Sequence, residues 1–153
     1  MVSRTVVSRS PDDLDQFSAR LTSQASRFAR TASRKAGTRR SLISLRALAN
    51  LQQDGDLRVG ELALREAITQ PAMTSAVNRL EADGLVVRRA DPGDARAAVV
   101  SLTEAGAEEL HEFRMRAAAK VRPALEALGE EDLAVLARAA DLLEALADRL
   151  NKE

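Results

Sequence analysis

Helical spacing of apolar residues runs along almost all of this 153-residue chain and is broken once, by two short Val-rich runs around a turn. The runs are Leu85-Val86-Val87-Arg88-Arg89 and Ala98-Val99-Val100-Ser101-Leu102, and Asp91-Pro92-Gly93-Asp94 between them is turn chemistry. The chain is therefore expected to be mainly α, with one two-stranded hairpin. Composition agrees. Phe17, Phe28 and Phe113 are the only aromatic residues, so the core must be made of Leu, Val and Ala, which suits packed helices.

The helices can be placed from their caps and stripes. Ser10 caps a helix that Pro11, Asp12 and Asp13 favour in its first turn. Leu14, Phe17, Leu21, Ala25 and Phe28 carry it to about Ala32. A second helix starts near Ser41 with Leu42, Leu45, Leu48 and Leu51 apolar, and ends near Asp54-Gly55. A short third one spans about Val59 to Glu66. Thr69 is placed to cap a fourth, from Gln70 to about Ala82, stopped by Asp83-Gly84. After the hairpin, Thr103 caps a fifth helix that Pro123 should kink or interrupt, and Glu130 opens a last one to about Leu150. Helices two to four plus the hairpin have the layout of a winged helix-turn-helix.

The fourth helix carries the most informative face. Met73, Ala76, Val77 and Leu80 make one apolar side. The other side presents Gln70, Pro71, Thr74, Ser75, Asn78 and Arg79. An ordinary exposed face favours Lys, Glu, Arg and Gln, whereas Thr, Ser and Asn weaken a helix. Short hydrogen-bonding side chains are what close approach to base edges requires: Asn and Gln suit adenine, Arg suits guanine, and Ser or Thr suit bases or phosphates.

Charge points the same way without deciding it. The net charge is zero, yet residues 1–50 carry about +7 and residues 124–153 about −5. Such a separation is either two solvated faces of opposite sign or a basic region turned toward an anion. Residues 54–103 hold six Arg and eight acids, so the reading unit is slightly negative, and non-specific affinity should be modest.

From Asp91 to Thr103 the chain resembles the wing signature of the MarR family of transcription regulators, in which an Asp-x-Arg pair (here Asp94 and Arg96) precedes a strand and a Leu-Thr that opens the next helix. Gly60-Glu61-Leu62-Ala63 resembles the start of that family's turn motif, and Thr69 through Val86 its recognition helix and exit. The resemblance covers nearly the whole chain. It implies a single MarR-like domain over 1–153, with a winged helix-turn-helix lobe at 38–103 and dimerisation helices at 10–36 and 104–151. It implies that Gln70, Pro71, Thr74, Ser75, Asn78 and Arg79 face the major groove of double-stranded DNA. Arg96 would enter the minor groove, with Asp94 shaping the wing. Thr38, Arg39 and Arg40 become phosphate candidates, and Arg88 and Arg89 on the first hairpin strand join the DNA-binding set.

The flanking helices fit a homodimer. Leu14, Phe17 and Leu21, then Leu110, Phe113, Ala117 and Val121, then Leu133, Leu136, Ala140, Leu143, Ala147 and Leu150 form stripes that a minimal winged helix does not use. A two-fold dimer would set two recognition helices about 34 Å apart and favour a pseudo-palindromic operator. The expected function is a bacterial, sequence-specific regulator acting as a repressor. By resemblance, a small aromatic or phenolic ligand between lobe and dimer helices would release the DNA. The rival readings are a winged-helix module that binds protein instead of DNA, and a sequence-tolerant architectural binder.

No enzyme is expected. His111 is the only histidine and sits among Glu108, Glu109 and Glu112, and there is no cysteine or Gly-rich phosphate loop. No metal, cofactor, disulfide or thiol switch is anticipated. Without an apolar run of membrane length or a visible signal peptide, a soluble cytoplasmic protein is the expectation.

Overall fold

A computed structural model describes residues 10–38, 40–91 and 93–150, with the side chains of residues 95 and 96 outside the description. The elements in chain order are α1 (Pro11–Ala36), α2 (Leu42–Asp54), β1 (Leu57–Arg58), α3 (Val59–Arg65), α4 (Gln70–Ala82), β2 (Val86–Asp91), β3 (Asp94–Leu102), α5 (Glu104–Glu126) and α6 (Glu130–Leu150). Among the described residues no helix is long and apolar enough to cross a membrane.

Four details differ from the sequence reading. The hairpin belongs to a three-stranded antiparallel sheet of order β1-β3-β2, because Leu57 pairs with Val100 and Arg58 with Val99. A two-residue strand is too short to leave a period-two pattern. Helix α1 runs one turn further, to Ala36, until Gly37 takes a positive φ of 63°. Helix α5 is not interrupted at Pro123 and continues for its last turn beyond that residue. Thr69 occupies the N-cap of α4 but makes no side-chain cap bond, whereas Ser10, Ser41 and Thr103 all do.

The core lies between α2, α3, α4, the sheet and the first turns of α5. Leu48, Leu62, Met73, Val77, Leu80 and Val100 are fully buried there. Burying each such side chain stabilises the fold by roughly 1.5–3 kcal/mol. The start of α5 is fastened to this core. Thr103 donates its backbone N–H to Leu85 O at 3.1 Å and its hydroxyl to Gly84 O at 2.8 Å, while the same hydroxyl accepts from Gly106 N. A Cβ on Gly106 would lie 2.1 Å from the backbone oxygen of Leu85. Glycine is therefore what lets α5 approach the strand that leaves α4. Helix α1 packs along α5, and neither α1 nor α6 holds a buried residue.

Candidate nucleic-acid interface

Helix α4 divides as its sequence dictates. Met73, Ala76 and Val77 have no exposed surface and Leu80 almost none. Gln70, Pro71, Ser75, Asn78 and Arg79 are exposed and Thr74 is half-buried. Gln70, Pro71, Thr74, Ser75 and Asn78 line one open depression, and Arg79 lies outside its lining. The Thr74 hydroxyl donates to Gln70 O at 2.9 Å, so it adds no unpaired donor to the helix surface and keeps its oxygen as an acceptor.

The wing strands bring two arginines beside α4. Arg88 is held by Glu81, whose carboxylate accepts the Arg88 backbone N–H at 3.2 Å and also pairs with Nη1. Its Nη2 donates to Asn78 Oδ1 at 2.6 Å. Arg89, its neighbour in β2, is exposed. At the tip, Asp94 opens β3 opposite Asp91. The expected brace between Asp94 and Arg96 falls on a side chain outside the described residues.

A different carboxylate braces the turn. Asp91 Oδ1 accepts from Gly93 N at 2.7 Å, and Oδ2 accepts from Arg58 Nε at 2.6 Å and Nη2 at 2.5 Å. The Gly93 amide, and then Arg58, hold this carboxyl below the ordinary carboxylate range. The sequence carries no signal for the role of Arg58, because its strand is only two residues long. The Asp-Pro-Gly run was the available signal that Asp91 turns the chain.

The phosphate candidates before α2 are placed otherwise. Thr38 is exposed and its hydroxyl accepts from Arg40 N at 3.0 Å. Arg40 pairs through Nη1 with Asp83 at 2.5 Å and through Nε with Glu109 at 3.3 Å. Asp83 caps the C-terminal end of α4, so Arg40 stands at the opposite end from Gln70. Its charge already ties the end of α4 to α5. Arg39 lies outside the described residues.

A second concavity separates α1, α2 and α5. It has a volume of about 340 Å³, with Leu45, Ala49, Leu110 and Phe113 among its apolar walls and Arg30, Arg46 and Arg114 also lining it. Arg46 reaches Glu66 at 3.4 Å, and Arg114 donates to Gln52 at 2.5 Å. His111 is exposed, and no group of acids and histidines among the described residues could hold a metal ion.

Comparison with known proteins adds the lineage of this arrangement. The sequence profile of the MarR family matches residues 39–97, which span α2 to the first half of β3 and so include the α4 face and the wing. An HTH-type transcriptional regulator of Mycobacterium tuberculosis is 36% identical over 108 residues, covering 71% of this chain and 76% of that protein. The chain belongs to the MarR family. Solved structures agree in fold. A MarR family protein from Bacillus stearothermophilus superposes with a TM-score of 0.68 at 22% identity, over 92% of this chain and 99% of that one. A transcriptional regulator from Thermotoga maritima gives 0.70 at 24% identity, over 90% and 99%. This MarR-family chain is accordingly a DNA-binding transcription regulator with a winged-helix fold and not an enzyme.

Proposed function

We propose that this MarR-family chain is a homodimeric repressor that binds a pseudo-palindromic operator. The lobe of residues 38–103 reads the DNA, and helices 10–36 and 104–151 form the dimer. The observation that carries this is the exposed face of α4, where Gln70, Ser75 and Asn78 surround one depression beside the wing. Ser75 and Asn78 weaken a helix, and all three side chains suit base edges. Helix α4 enters the major groove, and Arg96 at the wing enters the adjacent minor groove, where the potential is most negative.

Dimerisation is supported by apolar surface that one chain leaves uncovered: Leu133, Leu136, Leu143 and Leu146 on α6, and Phe28 and Met115 on α1 and α5. The concavity between α1, α2 and α5 suits the expected effector. Its volume falls within the ordinary range of ligand pockets, apolar walls accommodate an aromatic ring, and its arginines favour an acidic phenol or carboxylate. Occupying it would alter how the lobe sits on the dimer helices and release the operator.

Selection of bound duplexes from a random pool, at physiological salt, tests the reading. An enriched inverted repeat with half-sites about ten base pairs apart is expected. Failure of a folded protein to enrich any sequence would refute it. With Arg96→Ala, preference for A/T-rich sequence beside the half-sites should fade.

A further inference from the structure

We propose that Arg88 is a positioning residue that fixes the polarity of the Asn78 amide, so that Asn78 offers hydrogen-bond donors to its base. This deepens the operator reading above and rests on it. A guanidinium has no acceptor, so the end of the amide that faces Arg88 Nη2 at 2.6 Å must be the oxygen. The amide nitrogen is therefore turned from the wing, and it has no hydrogen-bond partner among the described residues. Glu81 holds Arg88 in turn, through both its backbone N–H and Nη1. The order Glu81, Arg88, Asn78 is thus a chain of fixed polarity laid from α4 to β2 and back to α4.

Two consequences separate this from an ordinary asparagine contact. A free amide can rotate end for end, presenting acceptor or donor to the same base edge at little cost. With its oxygen engaged and its plane set, Asn78 favours an edge rich in acceptors, such as the O6 and N7 of guanine. Arg88, for its part, resembles a phosphate contact by charge and place. Half-buried and neutralised by Glu81, it acts instead through Asn78. The ordering is present before DNA arrives, so little side-chain entropy is lost on binding.

The test is selection from the random duplex pool with the full chain and five variants, followed by affinity measurements on the winning duplex and its single-base changes. The unaltered protein should select an acceptor-rich base at one position in each half-site. N78A should lose that preference by about tenfold. R88M should lose the same preference at the same position, and the double variant should lose no more than either alone. R88K, whose ammonium can also donate to Oδ1, should retain it. N78D still pairs with Arg88 yet presents acceptors only, and should move the preference toward the amine of cytosine or adenine. R88K and N78D keep the test decisive should R88M not fold. A uniform loss over all duplexes in R88M, with base choice intact, would make Arg88 a phosphate contact and overturn the proposal. So would N78D with unaltered base choice. If the unaltered protein selects no sequence, the operator reading falls first and the proposal with it.

Discussion

The winged lobe and the helices that flank it are written in the same aliphatic alphabet and end in opposite states. In the lobe, Leu48, Leu62, Met73, Val77, Leu80 and Val100 are enclosed completely. On α6, Leu133, Leu136, Leu143 and Leu146 recur at helical spacing and are each at least 37% exposed, and α1 and α6 bury nothing. The difference is one of closure. Three helices and the sheet of the lobe converge with the first turns of α5 from different directions, so each apolar face finds another within the same chain. Of the flanking helices, α1 packs along α5, while α6 leaves a long stripe uncovered, which is the pattern of a surface completed by a second copy.

That contrast can be broken by placing equivalent damage in each region. Changing Leu136 and Leu143 together to Glu should have the larger functional effect: monomers by sedimentation, and loss of most specific operator binding. The lobe should nevertheless unfold as before, because neither residue belongs to its core. A monomer that keeps specific binding would sink the dimer argument. Leu48→Ala should do the reverse in thermodynamic terms, costing about 2–5 kcal/mol in denaturant unfolding as a cavity opens in the enclosed core. Protein that still folds should sediment like the parent. Equal stability losses for both changes would mean the two regions are a single cooperative unit.

The same division explains what the sequence made legible. Helix α4 was readable in both bounds and face, because cap, Pro71, stripe and the Thr74/Ser75/Asn78 side are all local signals. The hairpin was readable from its turn, and its third strand was not, since Leu57–Arg58 is too short for any periodicity. The connections that organise the interface were out of reach for another reason. Arg58 meets Asp91 across 33 residues, and Arg40 meets Asp83 across 43. An ion pair of that separation has no signature in spacing. Resemblance alone makes Arg40 a phosphate candidate and does not show that its guanidinium lies between Asp83 and Glu109. Even the nearer pair, Glu81 and Arg88, spans the turn out of α4 and depends on how β2 folds back.

The smallest expected effect concerns the brace at the tip of the wing, and it asks whether the hairpin shares the stability of the lobe or only decorates it. Asp91 is held below the ordinary carboxylate range first by the Gly93 amide and then by Arg58. A depressed folded value means that the brace contributes at neutral pH and is lost as pH falls through that value, below about 4. Asp91→Asn keeps an oxygen for Gly93 N–H but gives up the charge that Arg58 meets. The variant should be slightly less stable than the parent near neutrality and should approach it in acid, where the parent's carboxylate is protonated. Thermal unfolding of both proteins between about pH 6 and about pH 3 reads this directly. A constant gap across the range would show that the charge contributes nothing and that the Gly93 turn alone holds the wing. A gap that closes in acid, with faster amide exchange confined to residues 86–102 in the variant, would place the brace in the wing and leave the enclosed core of the lobe independent of it.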